Sequence, residues 1–139
     1  MNVKRLFLFI VLVSLNLLLC SRNNNTLEEQ RKRAGKKPSA EEFRSNAAIT
    51  FVELGSVNCV PCRMMQPILK AIDSAYAGKV KVVFIDVMTD QGRPYAQQFG
   101  IRAIPTQVFL DKDGREIFRH LGYYPKDSIT ALLTSKGIK

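Results

Sequence analysis

The chain has 139 residues, 46% of them hydrophobic and 24% charged, with a formal net charge of +9. That length holds one domain and some extra sequence, and the hydrophobic content excludes disorder throughout. The core must come from a segment near ~100 residues, which is enough to fold without a dense disulfide framework.

The chain begins with an uneven concentration of apolar residues. After Lys4 and Arg5 comes an almost unbroken apolar run, Leu6 to Leu19. A basic start and an apolar stretch of this length read as a secretory signal or a short anchor, shorter than the ~17 to 25 residues of a self-standing transmembrane helix. Cys20 ends the run and precedes the polar "SRNNNT". A cysteine there resembles the lipid-attachment site of bacterial lipoproteins, although Leu19 is large where those signals favour a small residue. The alternatives are an uncleaved anchor and plain secretion. All three place the remainder outside the cytoplasm, where disulfides persist.

Residues 21–45 read as a polar, basic tether, after a signal, lipoprotein-type or anchor segment over 1–20 and ahead of a folded domain over 46–139. Within the tether Thr26 and Glu29 fit a capping box, and "AEEFRSNAA" has the composition of a further helical turn. The cluster Arg31–Lys37 is a solvated linker or a contact for anionic headgroups. No nucleic-acid-binding motif accompanies the charge, so nucleic acid is not an expected partner.

The domain then alternates. Ala48–Leu54 is an apolar, β-branched run that predicts a buried strand. Val60–Gly78 predicts a helix ended by glycine, with Met64, Ile68, Ile72 and Ala75 on one face and Pro67 as an internal kink. Val80–Val87 predicts a second buried strand, and Gly92–Gly100 a short helix with Pro94 in its first turn. Thr106–Asp111 and Arg115–Leu121, joined through Lys112–Gly114, predict a β-hairpin. Pro125–Ser135 closes as a helix with Ile129, Leu132 and Leu133 on one face. The β-α-β unit implies a parallel pair through a right-handed crossover. With the hairpin it makes an α/β fold with a mixed sheet and helices on both faces.

Cys59 and Cys62 lie where the first strand gives way to the first long helix. Unsatisfied amides and the positive end of the dipole stabilise a thiolate there, so Cys59 is the better nucleophile. Cys62, one turn on, faces the same way and can reach its sulfur. Pro61 stiffens the bridge at an early helical position without losing a needed hydrogen bond. A bare C-x-x-C remains compatible with a redox pair, half of a metal site or a structural clip. Zinc requires about four ligands, and only Cys20 and His120 remain as strong candidates, so no metal site is expected.

Over residues 45–139 the chain resembles the thioredoxin family. The residues that carry the resemblance are Cys-Val-Pro-Cys after a buried strand and opening a helix, Pro67 five residues beyond Cys62, and "YAQQFGIRAIPTQVFLDKDGRE". Within that last segment Ile104-Pro105-Thr106 matches the family's cis-proline loop, Leu121-Gly122 matches a wall of its substrate groove, and Glu53 occupies its buried-acid position. Three departures stand out: Asn58 replaces the usual tryptophan, Val-Pro replaces the Gly-Pro bridge, and Phe84 replaces a lysine that often neighbours the acid.

The resemblance implies a thioredoxin-like fold and a thiol–disulfide oxidoreductase, with Cys59 as attacking sulfur, Cys62 as resolving sulfur and Glu53 as proton acceptor. A substrate surface would be formed by Val60, Pro61, Ile104, Pro105, Leu121 and Gly122. It implies no cofactor beyond the redox-active Cys59–Cys62 disulfide. Pro61 and the absence of histidine from the bridge match the reducing branch. The expected protein is an extracytoplasmic, membrane-tethered reductase of exported proteins, apocytochrome c thiols among them, supplied by a transmembrane electron donor. The alternatives are a disulfide oxidase or isomerase, and a non-catalytic adaptor or metal carrier.

Overall fold

The computed structural model describes residues 40–139. The apolar run, Cys20, the Thr26–Glu29 capping box and the basic cluster lie outside the described residues. A 3-10 turn, Ala40–Phe43, precedes β1 (Ile49–Gly55), α1 (Val60–Ala75), β2 (Val80–Asp86), α2 (Arg93–Gln98), β3 (Thr106–Asp111), β4 (Glu116–Leu121) and α3 (Lys126–Ser135). Among the described residues the sheet runs β2-β1-β3-β4. β1 and β2 are parallel, whereas β1–β3 and β3–β4 are antiparallel.

β1 is an inner strand, and all seven of its residues are buried. Its near-continuous apolar run follows from cover on both faces. Side chains of alternate residues fall to opposite sides. Ile49 and Phe51 join Val80 and Phe109 under Met65, Leu69 and Ile72 of α1 and Ile129 and Leu133 of α3. Phe51 and Phe109 stack there at 4.4 Å. Val52, Leu54, Val108 and Leu110 form the other core with Phe43, Tyr95 and Phe99. Phe43, placed by sequence reading in the tether, is 4% exposed and packs edge-on against Phe99 at 5.2 Å.

β2, expected as a second buried strand, is an edge strand in which only Val80 is buried, because β1 covers one of its sides alone. Two expectations about α1 also need correction. The core face of α1 is Cys62, Met65, Leu69 and Ile72, not Met64, Ile68, Ile72 and Ala75. The helix carries adjacent apolar pairs at Met64–Met65 and Ile68–Leu69, so two stripes compete, and docking on the sheet selects the one containing Met65. Met65 also accepts the Tyr124 amide on its sulfur (3.3 Å), which ties the loop before α3 to α1. The second correction is the end of α1: the helix stops at Ala75, with Tyr76 as C-cap, and Gly78 lies in the following turn.

The hairpin is closed locally. Asp111 Oδ1 accepts the amides of Asp113 and Arg115, each at 2.9 Å, and Gly114 takes φ +79°, where a side chain would be strained. Among the described residues no helix is long and apolar enough to cross a membrane.

Candidate redox site

The site stands at the end of the sheet where β1 and β4 finish and β3 begins. Leu54, Thr106 and Leu121 lie in register across those three strands. Beyond Gly55 the chain turns sharply into α1. Ser56, 3% exposed, organises that turn: its carbonyl accepts the Cys59 amide and its hydroxyl accepts the Asn58 amide, both at 3.2 Å. The Asp86 carboxylate at the end of β2 accepts the Val57 amide (3.2 Å) and the Met88 amide (2.9 Å). One side chain thus holds the loop before the cysteines against the loop after β2.

Cys59 is the N-cap of α1, and its Sγ accepts the Cys62 amide at 3.4 Å. Val60 and Pro61 form the first helical turn, where the missing proline N–H leaves no donor unmatched. Cys59 and Cys62 are joined as a disulfide, with their Cα atoms 5.2 Å apart. The two sulfurs are not equivalent. Cys59 is partly exposed, whereas Cys62 is 0% exposed. When the pair is reduced, the helix amides and dipole favour charge on the Cys59 sulfur.

Gly55 makes room for Cys62. A Cβ on Gly55 would stand 3.2 Å from Cβ and Sγ of Cys62 and from Cε2 of Phe84. Phe84 therefore packs over Gly55 beside the buried cysteine. Glu53 lies two residues back on the same strand face, about 7 Å along the strand. It is 0% exposed. Its Oε2 accepts from Gln107 Nε2 at 2.9 Å, and its Oε1 has no hydrogen-bond partner among the described residues. Burial raises the Glu53 pKa to about 7, while the bond from Gln107 pulls it the other way.

The Ile104–Pro105 peptide is cis, and the Pro105 carbonyl accepts the Gly122 amide at 2.8 Å. This bond draws the β4 end to the start of β3. Val60 and Leu121 are each 59% exposed, and Val57, Met64 and Met88 are exposed as well. Ile104 is half-buried.

Every candidate of the domain is thus at or near this end of the sheet; Cys20 lies outside the described residues. His120 is elsewhere engaged, stacked on Tyr124 at 4.2 Å. Among the described residues, no three His, Cys, Asp or Glu side chains gather in a way that could hold a metal ion. A hollow of about 400 Å³ lies along β2, lined by Phe43, Lys81, Val83 and Tyr95 among others, and neither cysteine lines it. Sequence reading missed Gly55, Asp86 and Gln107. Only Gln107 left a signal, as an amide directly before the apolar run "VFL" of a strand.

The thioredoxin-like domain family matches residues 36–136. A thioredoxin from Alicyclobacillus acidocaldarius is 40% identical over 83 residues, covering 60% of this chain and 76% of that protein. Thioredoxin 1 from Synechococcus elongatus is 33% identical over 93 residues, covering 67% of this chain and 84% of that protein. Among solved structures, a thioredoxin from Nicotiana alata aligns with TM-score 0.59 and 31% identity over 69% of this chain and 79% of that one. A mutant thioredoxin from Halobacterium salinarum aligns with TM-score 0.59 and 26% identity, over 68% and 79% respectively.

Proposed function

The chain belongs to the thioredoxin family and is a disulfide oxidoreductase built on Cys59 and Cys62, and from that premise we propose that it reduces disulfides of exported proteins from a membrane tether outside the cytoplasm. The observation that carries the reductase cycle is the inequality of the sulfurs: Cys59 is reachable at a helix N-terminus and Cys62 is enclosed behind it. Export and tethering rest on Lys4, Arg5 and the apolar run Leu6–Leu19, with Cys20 as the lipid-attachment candidate.

In the reduced protein the Cys59 thiolate attacks one sulfur of the partner's disulfide. A mixed disulfide forms, and the other partner sulfur leaves with the electron pair and takes a proton. Glu53 accepts the proton of Cys62, whose thiolate then attacks Cys59. The second partner sulfur leaves, the Cys59–Cys62 disulfide forms, and two electrons have passed to the partner. An extended partner segment lies against Val60, Pro61, Ile104, Pro105, Leu121 and Gly122. The dithiol is restored by a membrane protein carrying electrons across the bilayer; no bound cofactor takes part.

The reducing direction rests on the Val-Pro bridge, which has proline and lacks histidine. It is tested by equilibrating the full-length chain with glutathione or dithiothreitol buffers and alkylating the free thiols. A potential near or below about −270 mV is expected, and one near about −120 mV would overturn the direction in favour of disulfide formation.

A further inference from the structure

Gln107 has no part in the cycle just described, yet it is as deeply buried as Cys62. It is 0% exposed near the start of the inner strand β3, and its register partners are Glu53 on β1 and His120 on β4. A buried amide has two donors and two acceptor sites to satisfy, and leaving them unmet costs about 1–3 kcal/mol. Gln107 meets one of them, by donating from Nε2 to Glu53 Oε2 at 2.9 Å. Among the described residues its Oε1 has no partner, and neither does Oε1 of Glu53. An apolar residue there would have joined Phe109 in the core at no such cost.

The two unmatched oxygens belong to adjacent groups, and one event can match one of them. A carboxylate offers only acceptors, and Nε2–H of Gln107 serves it as placed. A carboxylic acid offers an O–H donor, and the amide oxygen of Gln107, turned through about 180° about its last side-chain torsion, is an acceptor for it. Aspartate, lysine or an apolar side chain in place of Gln107 would serve at most one of the two forms.

We propose that Gln107 is a positioning residue for Glu53, donating to its carboxylate and turning over to accept from its carboxylic acid, so that the proton taken from Cys62 finds a partner in either state. The proposal rests on the reading of Glu53 as the proton acceptor. When Cys62 S–H breaks, the sulfur keeps the electron pair, an O–H bond forms on Glu53, and Gln107 exchanges its amide N–H for its oxygen as the group facing the acid. The hydrogen bond from Gln107 opposes the effect of burial, which keeps the carboxylate populated near neutral pH.

Little else on this face competes. Phe84 stands opposite Glu53 on β2. Asp86, further along β2, has its carboxylate engaged by the Val57 and Met88 amides. Of the titratable groups of α1, Cys62 is buried and Cys59 partly exposed, whereas Arg63, Lys70 and Asp73 are exposed to solvent. His120 lies beyond Gln107 and is stacked on Tyr124.

The test uses the reduced full-length chain in detergent, labelled at the glutamate side-chain carboxyl and the glutamine side-chain amide. In the unaltered chain the Gln107 amide signals should move with pH at the same midpoint as the Glu53 carboxyl, and this movement should vanish in Glu53→Gln. Gln107→Met, of similar length and without hydrogen-bonding groups, should raise the Glu53 midpoint by about one to two pH units. It should slow resolution of the mixed disulfide about tenfold or more at neutral pH, with the rate recovering in more alkaline buffer. A Gln107 amide that stays flat while Glu53 titrates overturns the proposal, whether or not the variant folds. So does an unmoved Glu53 midpoint in a folded Gln107→Met. A resolution rate unchanged in Glu53→Gln instead sinks the proton-acceptor reading, a separate outcome from the behaviour of the amide.

Discussion

Gly55 lies against Cys62 so closely that a single added carbon would stand 3.2 Å from its Cβ and Sγ. The same carbon would meet Phe84 Cε2 at 3.2 Å, so the buried cysteine, the glycine and the ring form one close-packed set. Gly55→Ala should therefore cost on the order of 1 kcal/mol, as overpacking in a filled core does. It should also change the alkylation rate of Cys62 in the reduced protein. Phe84→Leu in the same chain should recover part of the loss, because it frees one of the two neighbours. Thermal unfolding of the two single variants and the double variant measures this coupling.

Glu53 makes stability depend on pH, and the sign follows from its burial. Its pKa is raised from 4.5 to about 7 on folding, so the folded chain holds a proton that the unfolded chain releases in that interval. Stability is full below about 4.5, falls as pH rises through about 7, and is then lower by roughly 3 kcal/mol. Glu53→Gln should flatten this profile and be the more stable protein at pH ~8. Denaturant unfolding of the oxidised protein, in which neither cysteine titrates, isolates the effect. An unaltered slope in Glu53→Gln would assign the pH dependence to other groups.

Unequal exposure of the sulfurs predicts unequal trapping. Cys62→Ser should hold partners as mixed disulfides through Cys59, because the resolving sulfur is gone. Cys59→Ser should trap few, since Cys62 is 0% exposed. Non-reducing gels of membranes from cells carrying each variant, compared before and after dithiothreitol, show the difference. A non-covalent adaptor would trap nothing in either case.

Leu121 is 59% exposed at the end of β4, in register with Thr106 beside the proline loop. Leu121→Lys removes apolar contact area without disturbing a core, so stability should change by less than about 0.5 kcal/mol. The kcat/KM for a disulfide-bonded protein should fall about tenfold, as the loss of a well-placed interface side chain implies. Reaction with a small aromatic disulfide should be nearly unchanged. An equal loss with both substrates would place Leu121 in the chemistry and not in docking.

The order of elements was legible in the sequence because its signals are local. An apolar β-branched run, an early helical proline and an Asp–Gly turn each act within a few residues. β3 begins and ends where the pattern places it, at Thr106 and Asp111, and Asp111 closes the hairpin through its own carboxylate. Cys59 and Cys62 were legible for the same reason: the strand, the pair and the helix are contiguous. The face of α1 was not, because Met64 and Met65 are equally apolar neighbours and only the sheet beneath decides which one is covered.

What tertiary structure alone decided is the surroundings of the pair. Glu53 and Gln107 are 54 residues apart, and they meet because β1 and β3 pair in a register that sets them opposite each other. Asp86 reaches Val57 across 29 residues because β2 runs parallel to β1 and ends beside it. Gly55 has its purpose only once α1 has folded back over the sheet and laid Cys62 on it. Backbone propensity and hydrophobic period act along the chain and can be read from it. Strand register and helix docking act across the chain, where the burial of both cores selects one pairing, and that pairing determines which polar groups are left to face one another.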